Sequence, residues 1–437
     1  MTPNGQVNGP DQEASRGPRR DYIERVADTV LADTLSRIGA VLVEGVKGSG
    51  KTETARRLAA SEVRLDVDDS ARASAVEHPA SILAGPSPRL IDEWQLAPEV
   101  WNAVRRAVDD RQSDGQFILT GSANPSDDEA RHSGAGRFAR LRLRPLSLFE
   151  SGLSSGQVSL SQLLEGVEKV EGQAPLTLEQ LVEETCHGGW PADRSRPWQA
   201  AQRNAAAYLR ELASADIRTV DGVRRDPTRL LGLLRAVALN TASEATLVTL
   251  AKDTFGAGPS PGVETVASYL DALSRLMVYE AQPPWTPVLR SKARVRGQAK
   301  HHLVDPALAA ALLGASPEQL MLDLKTFSFL FESLCLRDLR VYQTDPLVQV
   351  GHYRDNTNLE VDAVVDAGYR RWAGFEVKLG GSPGAVDKAA DSLTRFAAKV
   401  DVQSMGEPRA LVVLTASGYA YTRRDGVHVV PLTTLGP

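Results

Sequence analysis

At 437 residues the chain is too long for one compact core, so two to four domains are expected, and its 42% hydrophobic and 24% charged residues are ordinary for a globular protein. No apolar run approaches the ~20 residues that a membrane span needs, so no membrane segment is expected. The net charge of −5 gives no global basic footprint, so any contact with nucleic acid must come from a local patch. The two cysteines, Cys186 and Cys335, lie far apart and outside metal-ligand spacing, which argues against a structural zinc site and fits a reducing, cytoplasmic compartment.

Residues 1–20 are rich in Gly, Pro, Asn and Gln and have no apolar stretch, so they read as a flexible tail rather than a signal peptide. Residues 21–150 then carry the strongest pattern. Ala40-Val41-Leu42-Val43-Glu44 reads as a short buried strand, followed by Gly45-Val46-Lys47-Gly48-Ser49-Gly50-Lys51-Thr52 and a helical stretch from Glu53. Strand, G-x-x-x-x-G-K-[ST] loop and helix come in the order of a phosphate-binding loop, whose backbone N–H groups converge on phosphate oxygens. The expected cofactors are ATP and Mg²⁺. Gly45, Gly48, Gly50 and Glu53 frame the nucleotide, Lys51 reaches the β- and γ-phosphates, and Thr52 reaches the metal.

Pro88-Arg89-Leu90-Ile91-Asp92-Glu93 supplies the second acidic motif such a site requires. Asp92, at the end of a strand, is expected to hold Mg²⁺, and Glu93 to orient the attacking water as a base, the pairing of a hydrolase rather than a passive binder. Gln116 to Ser122 is a further apolar strand ending in hydroxyl residues, with Thr120 and Ser122 as candidate γ-phosphate sensors. In the glycine-containing stretch 131–140, Arg137 is the candidate arginine finger, acting in its own subunit or on a neighbour in a homo-oligomer.

With the phosphate loop, the LIDEWQ stretch at 90–95, LTGS at 119–122 and RPLSLFE at 144–150, the chain resembles the AAA-type ATPases of bacteria and archaea that carry a C-terminal domain of unknown function. The resemblance covers nearly the whole chain. It implies a P-loop NTPase core with a parallel sheet and helices on both faces, and Gly188-Gly189-Trp190-Pro191 resembles that family's turn into a helical connector, here placed at 151–228.

From Arg229 three amphipathic segments follow, Leu230 to Asn240, Ala245 to Lys252 and Val263 to Leu276, and then a strand at Met277 to Glu280. That order suggests a winged-helix-like domain over 229–302. Arg290, Lys292, Arg294 and Arg296 alternate with small or apolar residues, which on a strand makes one basic face suited to a DNA backbone or simply a charged, protected edge.

Residues 303–437 hold the second chemical constellation. Phe327 to Leu339 reads as an amphipathic helix containing Glu332, and Leu359 to Val365 and Trp372 to Lys378 read as strands bearing Asp362 and the Glu376-x-Lys378 pair. Period-two geometry puts Glu376 and Lys378 on one face, with Asp362 beside them if the strands pair. This resembles the PD-(D/E)xK nuclease fold, a restriction-endonuclease-like α/β domain. The resemblance implies Glu332, Asp362, Glu376 and Lys378 as catalytic residues, with Asp362 and Glu376 as metal ligands. The plain structural alternative is a buried ion-pair network in an α/β domain, and the alternative function is a nucleotide-dependent signalling or scaffold switch whose winged-helix and C-terminal domains bind a partner without cleavage. His301, His302 and His352 have no metal-ligand spacing and are expected in solvated or hydrogen-bonded roles.

Overall fold

The computed structural model describes residues 22–121, 134–215, 217, 223, 225–255, 262–288, 297–343 and 348–437. Ser122 and the basic stretch from Arg290 to Arg296 lie outside the described residues.

The N-terminal part alternates helices and strands: α1 (Val26–Leu35), β1 (Ala40–Glu44), α2 (Lys51–Arg56), β2 (Ser61–Arg64), α3 (Asp69–Glu77), β3 (Arg89–Asp92), α4 (Val100–Arg111), β4 (Phe117–Gly121) and β5 (Phe138–Arg142). The five strands are parallel, in the order β2-β3-β4-β1-β5. Alternation along the strands explains the helices on both faces. Ala40, Leu42, Ile91, Phe117 and Leu119 pack with Trp94, Val100, Trp101 and Val104, while Val41, Val43, Leu90 and Ile118 pack with Leu31, Leu35 and Ala55. Because all five strands run one way, the loops after β1, β3 and β4 emerge together at their C-terminal edge, where ligands bind in open α/β sheets.

The chain continues through β6 (Val158–Ser159), α5 (Leu160–Glu165), β7 (Gly172–Gln173), α6 (Leu178–His187), α7 (Trp198–Ser214), α8 (Pro227–Leu239), α9 (Leu247–Phe255) and α10 (Val263–Arg275). The antiparallel pair β8 (Tyr279–Gln282) and β9 (Lys300–Leu303) follows, and then α11 (Pro306–Leu313), α12 (Pro317–Leu322) and α13 (Leu324–Tyr342). The segment after the first sheet is more than a helical connector. β6 pairs with a C-terminal strand at Leu435–Gly436, and β7 pairs with the strand Tyr419–Thr422.

The last part contains β10 (Gln349–Arg354), β11 (Glu360–Asp366), β12 (Trp372–Lys378), α14 (Pro383–Ala397), α15 (Val402–Met405), β13 (Ala410–Thr415), β14 (Tyr419–Thr422), β15 (His428–Pro431) and β16 (Leu435–Gly436). Its sheet runs β10-β11-β12-β13-β15-β14-β7, with β10, β11 and β12 antiparallel and β12, β13 and β15 parallel. Ala363, Val365, Ala373 and Phe375 share a core with Phe331 and Leu334 of α13, whereas Val361, Val364 and Trp372 share one with Val386, Leu393 and Phe396 of α14. Thus α13 and α14 sandwich the sheet, and α13 brings its residue 332 against the strands that carry residues 362 and 376. No helix among the described residues is long and apolar enough to cross a membrane.

Candidate active site

The loop between β1 and α2 is shaped by close approach and by backbone conformation. A side chain at Gly45 would begin 2.1 Å from the Leu143 carbonyl oxygen, and Gly50, which caps α2, has φ +99, a value that strains any residue with a Cβ. Gly48 faces the Trp190 indole, whose Nε1 donates to the Lys47 carbonyl at 3.2 Å. Lys51 is 6% exposed and donates from Nζ to the carbonyls of Gly45 (2.9 Å) and Val46 (3.2 Å). Burial pushes its pKa down to about 8, against the pull of Glu93 and Asp92. Its ammonium faces the cradle that phosphate oxygens would enter.

Asp92 closes the other side. It is 2% exposed at the end of β3, and its Oδ1 accepts from Thr52 Oγ1 at 2.8 Å and Thr120 Oγ1 at 2.5 Å. Arg64 Nε stands 3.6 Å from its Oδ2. Glu93 follows in the left-handed region (φ 55) and accepts a hydrogen bond from Gln95 Nε2. A non-glycine residue held there, capping the 3-10 turn Trp94–Leu96, costs free energy. Ser49 Oγ, fully buried in the loop, has no hydrogen-bond partner, so the cradle has polar capacity left for a nucleotide. The residues present therefore fit ATP and Mg²⁺, with Thr52 and Asp92 at the metal and the loop amides and Lys51 at the phosphates.

The Glu53 carboxylate pairs with Arg56 at 2.5 Å and is largely exposed, so Glu53 can frame the nucleotide only through its backbone. One expected position is corrected. Arg137 precedes β5 and therefore sits at the N-terminal edge of the sheet, where its carbonyl accepts from Ala40 N and its Nε pairs with Asp109 at 2.8 Å. The five-residue length of β1 separates it from the loop, roughly 16 Å at the usual rise per residue. It does not reach the nucleotide of its own subunit.

Several residues at the site were not read from the sequence. Arg25, 5% exposed, donates to Glu150 Oε1 (2.9 Å), to the Ser49 carbonyl (2.8 Å) and to the Arg144 carbonyl (2.7 Å), which ties the residues before α1 to the phosphate loop. Trp190 lies over the loop, and the adjacent Gly189 N donates to Asp305 Oδ2 at 3.0 Å. Asp305 also takes Arg337 Nη1 at 2.8 Å, and Arg337 Nη2 pairs with Asp338 at 2.7 Å, all three being buried on or beside α13. Asp338 in turn accepts from Leu148 N at 3.0 Å.

The second constellation also converges. Glu332, Asp362, Glu376 and Lys378 meet on the face of the second sheet beneath α13, joined by Glu360 and by Lys300 of β9. Lys300, 2% exposed in its side chain, places Nζ 2.7 Å from Glu332, 2.8 Å from Glu360 and 3.6 Å from Asp362. Lys378 Nζ is 2.6 Å from Glu376 and 3.7 Å from Asp362, whose Oδ2 also accepts from Val377 N at 2.8 Å. Burial pushes Glu332 up to about 8 and Glu376 up to about 7, with Asp362 adding to both. Burial opposes the charge on Lys300, yet Glu332, Asp362 and Glu360 hold its pKa above the ordinary value.

The ammonium of Lys300 sits among Glu332, Glu360 and Asp362, and that of Lys378 beside Glu376 and Asp362, so two lysines balance these carboxylates. Among the described residues no group of three or more His, Cys, Asp and Glu is placed to hold an ion. The histidines are hydrogen-bonded, as expected: His301 to Tyr279 Oη and the Ala245 carbonyl, His302 to Ser333 and Gln282, and His352 to the Gln298 carbonyl.

Residues 38–151 match the family model described as AAA domain. This match and the parallel five-stranded sheet support an AAA-type P-loop ATPase fold for this part of the chain. Residues 178–319 and 327–435 match two further models, each described as a domain of unknown function, DUF8612 and DUF4143. Uncharacterized proteins of Mycobacterium tuberculosis and Mycobacterium bovis are each 26% identical over 376 residues, covering 84% of this chain and 75% of theirs. Among solved structures, the Walker-type ATPase PABY2304 of Pyrococcus abyssi is 13% identical with a TM-score of 0.42, covering 69% of this chain and 99% of that one. The Aeropyrum pernix ORC1 protein in complex with DNA is 15% identical with a TM-score of 0.24, covering 67% and 93%.

Proposed function

We propose that the protein is a Mg²⁺-dependent ATPase whose nucleotide state sets the disposition of a nuclease-like C-terminal module that engages nucleic acid. The bridge from Thr52 through Asp92 to Thr120 carries this reading, because it joins the metal-binding hydroxyl, the acidic motif and the sensor strand in one hydrogen-bonded unit. Bound Mg²⁺ would neutralise phosphate charge. Lys51 stabilises the charge that develops on the phosphates, Glu93 orients the attacking water and takes its proton, and Thr120 reads the occupied state through Asp92. Arg137, at the far edge of the sheet and paired with Asp109, would act as an arginine finger only on a neighbouring copy.

In the C-terminal module, the order of α13, three antiparallel strands, α14 and the parallel β13 supports the nuclease-like reading, with Asp362 on the second strand and Glu376-x-Lys378 on the third. Lys300 favours the version without cleavage, since its ammonium adds a second cation to Lys378 beside Glu332, Glu360 and Asp362. The trio α8 to α10 followed by β8 and β9 supports a winged-helix-like unit beside it, and boundaries near residues 150, 228 and 302 remain the proposed divisions.

Phosphate release from Mg-ATP tests the first claim: turnover is expected in the wild type and lost in Lys51→Ala, and equal turnover in the two proteins would overturn it. Incubation of DNA with Mg²⁺ or Mn²⁺ tests the second. Binding without nicking is expected, and nicking that disappears in Asp362→Ala would restore the cleaving version.

A further inference from the structure

Behind the ATPase cradle, α1 and β5 face β8, α13 and β10 across a groove of about 400 Å³ lined by Arg37, Arg140, Arg142, Arg144, Arg340 and Gln343. This volume lies within the range of ligand clefts, about 300–1,000 Å³. Three of these guanidiniums, those of Arg142, Arg144 and Arg340, crowd around the single carboxylate of Glu280 at 3.1, 3.0 and 2.7 Å. Arg140 pairs with Glu44 and Arg37 with Asp33, so among the described residues the groove gathers five guanidiniums around three carboxylates. In a chain of net charge −5 this is a local reversal of sign.

The hydrogen-bond inventory has the same polarity. Arg142 Nε and Nη2 and Gln343 Nε2 are buried donors that form no hydrogen bond among the described residues, and Arg142 Nη2 lies near Glu280 but off the bonding direction. Buried donors gathered without acceptors call for an anionic oxygen. Burial pushes Arg144 down to about 10 against the pull of Glu280, with Arg142 and Arg340 adding to the depression. Leu141, Pro283, Val348 and Val350 give the remaining wall an apolar character suited to a sugar or base. A smaller pocket of about 30 Å³ shares Arg142, Arg144, Arg340 and Gln343 with the groove and is also lined by Glu150 and by Arg25, the residue that holds the Ser49 carbonyl of the phosphate loop.

We propose that this groove binds phosphate groups carried by a nucleic-acid strand, with Arg142 and Gln343 as its direct donors and Arg37 and Arg140 on its rim. The proposal rests on the nucleic-acid part of the function proposed above and specifies where that partner lies. It assigns a contact surface separate from both the ATP cradle and the carboxylate cluster.

Fluorescence anisotropy of a labelled single-stranded oligodeoxynucleotide with the full chain tests it, with inorganic pyrophosphate as the competing probe. Arg142→Gln leaves Glu280 paired with Arg144 and Arg340, and should weaken oligonucleotide binding by about tenfold. The salt dependence of log affinity should fall in slope by about 1. Arg37 is an exposed rim residue, so Arg37→Gln should fold normally and show a smaller loss; this keeps the test decisive if Arg142→Gln proves unstable. Unchanged affinity and salt slope in both variants would overturn the groove assignment while leaving nucleic-acid binding in place. A wild type that binds no oligonucleotide would overturn the strand assignment and the nucleic-acid reading with it. Pyrophosphate binding lost in Arg142→Gln would, in that event, mark the groove as a site for a free phosphate compound instead.

Discussion

Titration of Lys51 should be visible in ATP binding. Its side chain is buried against the carbonyls of Gly45 and Val46, and burial lowers its pKa from the ordinary 10.5 to about 8. At pH 7 roughly nine in ten loops then carry the ammonium, and at pH 9 only about one in ten. Phosphate oxygens in the cradle favour the charged form, so binding restores the proton. Uptake is expected to be roughly 0.5 proton per nucleotide at pH 8 and roughly 0.9 at pH 9, with apparent affinity falling toward tenfold per unit above pH 8. Isothermal titration with Mg²⁺ and a non-hydrolysable ATP analogue, in two buffers of different ionisation enthalpy, measures the uptake directly. Lys51→Arg should bind without it, because a guanidinium stays charged throughout this range. For the empty protein the sign is fixed by the depressed folded pKa. The folded state binds fewer protons than the unfolded chain between about pH 8 and 10.5, so the Lys51 contribution to stability rises with pH over that window and is smallest below it. Absence of proton uptake at pH 9 in the wild type would refute either the burial of Lys51 or its contact with phosphate.

Other expectations concern the buried charges. Lys300→Met strips the cation from Glu332, Glu360 and Asp362 and should destabilise the protein by about 3–5 kcal/mol. Denaturant unfolding should show a larger loss at pH 8 than at pH 5, because the raised pKa of Glu332 lets protonation relieve the uncompensated charge at the lower pH. Equal losses at the two pH values would contradict this. Arg337→Leu leaves Asp305 and Asp338 buried without their cation and should cost about 3–5 kcal/mol in the same assay. Trp190→Ala removes the indole from Gly48 and Lys47 and should weaken ATP binding with little change in the urea midpoint; unchanged affinity would show that the indole is only a cover. Thr120→Val removes one hydrogen bond to Asp92 and should lower turnover by about tenfold while nucleotide binding is kept, as phosphate release and titration can separate.

The local parts of this architecture were legible because their chemistry is contiguous. The phosphate loop needs glycines at set spacings between a strand and a helix, Asp92-Glu93 ends a strand, and Glu376-x-Lys378 puts two residues on one face of a strand. Each pattern is imposed by the backbone itself. Lys300 was hidden for the opposite reason. It belongs to Lys300-His301-His302-Leu303, a buried strand whose polar side chains defeat hydrophobic patterning, and it meets Glu332, 32 residues later, only through packing against α13. Arg25 finds Glu150 across 125 residues, and no spacing rule spans that separation. Arg137 is a different case. Strand direction alone puts a residue preceding β5 at the edge opposite the phosphate loop, so its reach could have been judged once the sheet was read as parallel.

The two constellations share one element, and this bears on how one could influence the other. Helix α13 carries Glu332 into the carboxylate cluster and, five and six positions later, Arg337 and Asp338 into the network that holds Gly189 beside Trp190 and the phosphate loop. At 1.5 Å per residue the two contacts are separated by roughly 8 Å along the helix axis. A helix this short between anchors moves as a rigid body. Trp190 contacts the loop at one end of the chain of bonds, and Lys300 grips Glu332 at the other, so a shift of the loop on nucleotide binding has a rigid path to the cluster. The path becomes a coupling only if the two nucleotide states differ in these contacts. Arg337→Leu is therefore the decisive variant, because it cuts the path while leaving Lys51, Asp92 and Glu93 in place. If nucleotide changes the oligonucleotide affinity of the wild type but not of this variant, the helix transmits the signal; an equal response in both proteins would assign the communication to another route.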